Sequence, residues 1–186
     1  MIRPVLALLL LVTALGPAAA QSSFNRPVVP TNAERIAALD ASKITFDDAL
    51  TNALDHVING LPYRIELTTK DSKPVYNIVM LVGDPSHHMT LDATDAGVIE
   101  RHDGAFNRNG TVLRIRLAEP NVGLVQAMQL AEAEYDGFRA YSSEAIVKGD
   151  QVQFEVRMVD PVSTKYVTLS LAGDILSAGA PPMRVK

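Results

Sequence analysis

The sequence predicts an α+β protein built from two tandem units, each a helix packed on a short antiparallel β-meander. Two helix-like segments have similar patterns, in which Ala49 of the first corresponds to Ala127 of the second. Two Asp-Pro turns, Asp84-Pro85 and Asp160-Pro161, are separated by almost the same length of chain as these alanines. The segments after each helix alternate apolar and polar residues, which is typical of strands in a sheet with one covered and one hydrated face. A nearly constant offset between different elements favours a duplicated module.

Residues 1–20 have the pattern of a secretory signal peptide. Arg3 supplies the positive charge, an apolar run follows, and Ala18-Ala19-Ala20 offers the small residues that a signal peptidase requires. The apolar run, Val5–Leu15, is shorter than the roughly 20 residues that span a bilayer. We therefore expect a periplasmic or secreted protein with no membrane insertion after cleavage; an uncleaved anchor is the alternative.

Composition excludes several classes of protein. The chain of 186 residues has no cysteine, so disulfide scaffolds and lipid attachment through cysteine are excluded for this sequence. Its formal net charge of −4 argues against a nucleic-acid partner, which requires a basic surface. The absence of tryptophan also argues against a stacking platform for bases or sugars. No motif for a cofactor is present, and we expect none.

The first half of the mature chain divides into a leader and a unit. Residues 21–42 form the leader, in which Thr31 and Glu34 are spaced as a capping box at the start of a short helix. Residues 43–103 form the first unit, whose helix begins at Thr45 and ends near Gly60 in a left-handed C-cap. We expect its apolar stripe to be buried, and the stripe comprises Ala49, Leu50, Ala53, Leu54, Val57 and Ile58.

The second half has a similar order. Residues 104–110 are polar and glycine-containing, as expected of a linker. Residues 111–178 form the second unit, which begins with an alternating segment, Thr111 to Leu117, interpreted as a strand. A helix from about Val122 to Glu134 follows, and then the clearest strand of the chain, Gln151 to Met158. Residues 179–186 form a tail.

Each unit resembles a PepSY domain. The first unit has Ala49 and Ala53 in its helix, the strand Val75-Tyr76-Asn77-Ile78-Val79 and a closing turn at Asp92–Ile99. The second has Ala127 and Ala131, Gln153-Phe154-Glu155-Val156 and Leu171–Ile175, although Ser170 or Leu171 stands where the family has aspartate. The resemblance implies a non-catalytic module of the bacterial envelope, for which regulation or inhibition of peptidases has been proposed. The tandem arrangement is also similar in architecture to β-lactamase-inhibitory protein, but architecture alone does not assign a function.

No constellation of residues indicates catalysis or a metal site. Adjacent residues of a strand point to opposite faces, so His87 and His88 cannot converge on one ion. Asp92, Asp95 and Gly97 are better explained as a turn than as a calcium loop. We therefore predict no catalytic residue, no metal ligand and no enzymatic activity.

The candidate binding residues lie on the hydrated face of the second unit. Gln151, Gln153, Glu155 and Arg157 recur with period two, so they should form a polar row on one strand. Aromatic anchors could come from Phe138, Tyr141 and Tyr166. We expect this face to bind another envelope or secreted protein, such as a peptidase. The alternatives are a hydrated face with no partner, a structural or assembly factor of the cell envelope, and a small metal-binding protein.

Overall fold

The computed structural model describes residues 29–83, 85–106 and 109–180. These residues form helices and strands in the order α1 (Asn32–Ala41), α2 (Phe46–His56), β1 (Leu61–Lys70), β2 (Lys73–Leu81), β3 (Pro85–Asp92), β4 (Val98–Phe106), α3 (Gly110–Leu117), α4 (Gly123–Glu134), β5 (Arg139–Lys148), β6 (Gln151–Val159), β7 (Thr164–Ser170) and β8 (Ile175–Gly179). The α+β class predicted from the sequence is therefore confirmed. The predicted signal peptide and most of the tail lie outside the described residues, in which no helix is both long enough and apolar enough to cross a membrane.

All eight strands belong to one antiparallel sheet with the order β4-β3-β2-β1-β5-β6-β7-β8. β1 and β5 pair at its centre, where Arg64 lies opposite Glu144 and Glu66 lies opposite Ser142. Each of these two strands also pairs with the strand that follows it in the chain. The sheet is therefore continuous from the first half of the protein to the second.

The first two helices begin with the local interactions that the sequence indicates. The hydroxyl of Thr31 accepts a hydrogen bond from the backbone N–H of Glu34, and the Glu34 carboxylate accepts one from the N–H of Thr31. Thr45 and Asp48 form the same reciprocal pair at α2. Hydrogen bonds from Thr31 and from Thr45 hold the pKa of Glu34 and of Asp48, respectively, below the ordinary values.

One predicted strand is wrong. Residues Gly110–Leu117 form helix α3 rather than an alternating strand from Thr111. Leu113 and Leu117 are buried, and their spacing of four residues places both on one side of a helix. In a segment this short, apolar residues at every second position include residues that are four apart. The pattern therefore fits both a strand and a helix. β4 also continues to Phe106, which places three residues of the predicted linker in a strand.

Alanines bring α2 and α4 onto the sheet. Ala49, Ala53, Ala127 and Ala131 are fully buried, because side chains this small allow a helix backbone to approach the strands closely. Leu54, in contrast, is 40% exposed. The buried face of α2 is therefore narrower than the predicted stripe.

The end of α2 also differs from the expectation. The left-handed residue is Asn59, with φ 62°, and Gly60 is not in that conformation. Gly60 is favoured for a different reason, since a Cβ there would make tight contacts, 3.0 Å from Val57 and 3.1 Å from the Met80 sulfur. Val57 is buried, whereas Ile58 is exposed to solvent.

Helix α1 contacts strands from both halves of the sheet, including β1 and β2 on one side and β5 and β6 on the other. Its Asp40 carboxylate lies 2.5 Å from the guanidinium of Arg139. Asn32 accepts a hydrogen bond from the hydroxyl of Thr164 at 3.0 Å. The segment predicted as a leader thus contains a helix that contributes to the folded domain.

Candidate binding face of the sheet

The register of the sheet assigns alternate residues of every strand to two faces. One face forms the core, where a row of paired residues is buried across the sheet: Met89, Ile78, Ile65, Ser143, Val156 and Val167. Directly paired residues share a face, so the neighbouring positions of each strand lie on the other side. We call this second side the open face.

Two rows of paired residues cross the open face from one sheet edge to the other. The first row comprises His102, His88, Val79, Arg64, Glu144, Glu155, Thr168 and Ser177. The second comprises Glu100, Thr90, Asn77, Glu66, Ser142, Arg157, Tyr166 and Gly179. Most of these residues are polar, and two of them, Val79 and Ser142, are buried.

A chain of charged contacts occupies the centre of the open face. Arg64 pairs with Glu66 on the same strand, and its Nε lies 4.0 Å from Glu144 across the β1–β5 junction. Arg157 then lies 3.5 Å from Glu144 and 3.2 Å from Glu155. We call these five residues the charge ladder.

Its geometry explains why three glutamates can share one small area. Glu144 and Glu155 are direct cross-strand partners, and like charges in that position destabilise a sheet. Arg157 donates its Nε–H to Glu155 and also approaches Glu144, so it compensates both carboxylates. Burial disfavours the charged form of Arg157, but the neighbouring Tyr166 and the two glutamates outweigh it and raise the pKa of the guanidinium.

The predicted binding residues do not all lie where the sequence analysis placed them. Gln153, Glu155 and Arg157 lie on the open face, as the period-two pattern indicated. Tyr166 lies there too, with its ring 5.5 Å from the guanidinium carbon of Arg157. Gln151, the remaining residue of the polar row, lies at the start of β6, at the end of the row away from Arg157.

The other two aromatic candidates are less accessible. Tyr141 is only 2% exposed, and the guanidinium of Arg35 on α1 lies 4.7 Å from the centre of its ring. This burial raises the pKa of Tyr141. Phe138 packs against the core side of the sheet and lies 4.3 Å from the ammonium of Lys165. Neither residue provides an exposed anchor on the open face.

The sequence analysis missed Arg64, Glu66 and Glu144 as site residues. Arg64-Ile65-Glu66 shows charged residues at period two, so the pattern alone could have placed both charges on one strand face. Their proximity to Arg157 depends on the pairing of β1 with β5. Strands that are distant in sequence become neighbours here, and no local motif records this register.

The histidines are not members of the charge ladder. His56 is exposed at the end of α2, whereas His87, His88 and His102 lie on the β3–β4 pair. No group of three or more histidine and acidic side chains in the described ranges is arranged to hold a metal ion.

Comparison with known proteins relates the first half of the chain to a family. The family described as "Peptidase propeptide and YPEB domain", or PepSY, matches residues 43–102. This span contains α2, the first three strands and the beginning of β4, and it supports the resemblance predicted for the first unit. No curated protein matches the chain.

A solved structure shares the fold. It is a crystal structure described as that of a "putative lipoprotein" from Clostridium difficile 630, with a TM-score of 0.52 and 16% sequence identity. The similarity covers 74% of this chain and 93% of the other. At this identity the comparison establishes the fold and not the function.

Proposed function

We propose that the chain is an exported, non-catalytic binding protein made of two PepSY-like units, whose open face recognises another envelope or secreted protein. The observation that carries this proposal is the charge ladder with Tyr166 at its end. It is a half-buried, internally compensated polar surface at the junction of the two halves. A peptidase is the partner we favour, because the family that matches residues 43–102 is described by its occurrence in peptidase propeptides.

The equivalence of the two halves supports the two-unit part of the proposal. The starts of β1 and β5 are separated by the same length of chain as the starts of β2 and β6. The buried Ala49 and Ala127 have this spacing too. Irregular positions match as well, since a bulge interrupts β1 between Pro62 and Arg64 and interrupts β5 between Ala140 and Ser142.

The closing turns are also equivalent. In the first half, the Asp92 carboxylate accepts a hydrogen bond from the backbone N–H of Thr94 at 2.8 Å. In the second half, the Ser170 hydroxyl accepts one from the N–H of Ala172 at 3.2 Å. Ser170 follows Asp92 at the same spacing as Ala127 follows Ala49, and it makes the corresponding contact. This explains how the second unit forms the turn without the family's aspartate.

The character of the open face indicates how a partner would bind. Arg64 and Arg157 already contact glutamates of the same face, so a partner does not meet a strong field of one sign. Recognition would depend on hydrogen bonds and on matching charge pairs around Tyr166, as at the polar parts of protein interfaces. Nothing in this arrangement requires bond making or breaking by the protein.

A bulky substitution that avoids the charge ladder tests this function. Thr168 lies on the open face between Glu155 and Ser177, and Thr168→Trp would obstruct the face without removing a charge. Ala133→Trp on the exposed side of α4 is the matched control. Used as bait in a periplasmic extract, the wild-type protein and the control should retain the same partner in stoichiometric amount. We expect Thr168→Trp to weaken this binding at least about tenfold, the effect of roughly 1.4 kcal/mol.

Two further results would contradict the proposal. Binding by Thr168→Trp with wild-type affinity would exclude the open face as the interface. If the captured partner is a peptidase, the purified protein should inhibit it at a molar ratio near unity. Capture without any effect on peptidase activity would exclude a role as an inhibitor and would leave a binding protein of another kind.

A structural or assembly role is the second candidate, and strand β8 favours it. This edge strand is exposed over its whole length, Ile175–Gly179, and carries no charged side chain. Uncharged edge strands are prone to pair with other strands. Sedimentation of the purified mature protein distinguishes the two roles: an assembly factor should form concentration-dependent oligomers, whereas a one-to-one inhibitor should remain monomeric.

A further inference from the structure

Three of the four histidines of the chain lie on one pair of strands at the edge of the sheet. His88 on β3 and His102 on β4 are direct cross-strand partners. Their rings are stacked almost in parallel, with centroids 4.8 Å apart and an interplanar angle of 9°. Stacking of this kind is favourable between neutral imidazoles and unfavourable between two imidazolium cations.

The backbone of β4 is fitted closely to His88. A Cβ built on Gly104 would lie 2.5 Å from the Nε2 of His88 and would also overlap the hydroxyl of Ser86. The same Nε2 lies 3.2 Å from the Ser86 hydroxyl oxygen. A larger residue at this position would require the side chains of His88 and Ser86 to move, so β4 packs directly on His88.

The charged groups that act on His88 come from three strands. Arg64 on β1 and His87 on β3 act together with His102, and β2 contributes the apolar Val79. The pKa of His88 is lowered, first by burial and then by His102, Arg64 and His87. Neutral His88 is therefore the form that the folded protein stabilises.

His102 lies close to a carboxylate. Its Nδ1 lies 3.8 Å from Glu100, which also binds Lys70 at 2.5 Å. On the core side of the same strand pair, the Nδ1 of His87 lies 2.6 Å from Asp103. Beside the stacked rings, β4 is therefore held by carboxylate contacts to β1 and to β3.

We propose that His88 and His102 form an acid-sensitive latch, which holds the edge strand β4 on β3 at neutral pH and releases it when the surroundings become acidic. The ordinary pKa of histidine is 6.5. Because the folded state lowers the pKa of His88, the unfolded or released state binds more protons. The contribution of the latch is complete above pH 6.5, decreases as the pH falls below that value, and is lost below the folded-state pKa.

Release of β4 would have a structural consequence beyond the proposed binding function. It would expose the backbone N–H and C=O groups along the outer edge of β3, which an extended segment of another chain could then pair with. The open face would lose its outermost histidine and Glu100, whereas the charge ladder at the centre of the sheet would remain in place.

Hydrogen exchange measured by mass spectrometry tests the latch in the full mature chain. Protection factors, corrected for the intrinsic effect of pH, would be compared between about pH 7.5 and about pH 5, the range over which histidine changes its charge. We expect protection of residues 98–106 to fall about tenfold relative to residues 164–170 of β7, a change that corresponds to roughly 1.4 kcal/mol.

Histidine variants show whether the latch causes this fall. His102→Gln should reduce the pH dependence, because it removes one of the groups that oppose a charge on His88, whereas His56→Gln, which alters an exposed histidine on α2, should retain it. If His102→Gln already exchanges rapidly at neutral pH, His102→Phe keeps a ring in the stack without a titratable group. The proposal is overturned if residues 98–106 keep their protection in acid, or if the fall is the same in His102→Phe as in the wild type.

Discussion

Phe154→Ala is expected to lower the free energy of unfolding by about 3–5 kcal/mol, the range for removing a buried phenylalanine from a core. Phe154 is 1% exposed on β6 and belongs to the core that α4 covers. Its truncation leaves a cavity, because the strands on either side are fixed by their backbone pairing with Ala145 and Leu169. Chemical denaturation followed by circular dichroism measures the loss.

Leu54→Ala is the matched comparison in the same measurement. The sequence pattern places Leu54 in a buried stripe and therefore predicts a similarly large effect. In the structure this side chain is 40% exposed, so we expect a loss below about 1 kcal/mol, within the range of most surface changes. A loss at Leu54 as large as that at Phe154 would show that the face of α2 assigned to the core is wrong.

Arg157→Ala should produce the second large effect, with an expected loss of about 1–3 kcal/mol. The substitution leaves Glu144 and Glu155 opposite one another without the guanidinium that contacts both. The side chain of Arg157 is 24% exposed, so water compensates these carboxylates only in part. Urea denaturation at neutral pH measures the change.

Arg116→Ala provides the control for Arg157. Arg116 also pairs with a glutamate, Glu119, but both side chains are well exposed on and after α3. Such a surface pair contributes about 0–1 kcal/mol. Equal losses for the two arginine variants would mean that the charge ladder is no more than a set of hydrated surface pairs.

The stability loss expected for Arg157→Ala also means that exchanging the charges of Glu155 and Arg157 would disturb the fold. Thr168 is therefore the better position at which to test binding.

The sequence predicted most of the fold because its signals are local. Thr45 and Asp48 can form a capping box from their spacing alone, since each partner is three residues from the other. The alternation in β6 identified a strand and assigned Gln153, Glu155 and Arg157 to one side of it. Both predictions depend only on the geometry of a single helix or strand.

The candidate site could be predicted only in part. Tyr141 and Tyr166 have equivalent aromatic character in the sequence, yet Arg35 of α1 covers one while the other remains beside Arg157. Leu54 belongs to the apolar stripe of α2 by periodicity, but Ala53 is the residue that faces the sheet. In each case the outcome depends on how a helix is oriented against strands from elsewhere in the chain.

By itself, the sequence determined the α+β class, the approximate positions of most strands and the first two helix starts, because caps, turns and side-chain periodicity act within a few residues. Only the tertiary structure decided that residues 110–117 form a helix and that β1 pairs with β5. It also decided that Arg64, Glu144 and Arg157 meet, and that His88 stacks on His102. These features depend on strand register and helix docking, which are set by burial and steric fit between segments distant in the chain, and a local pattern cannot specify them.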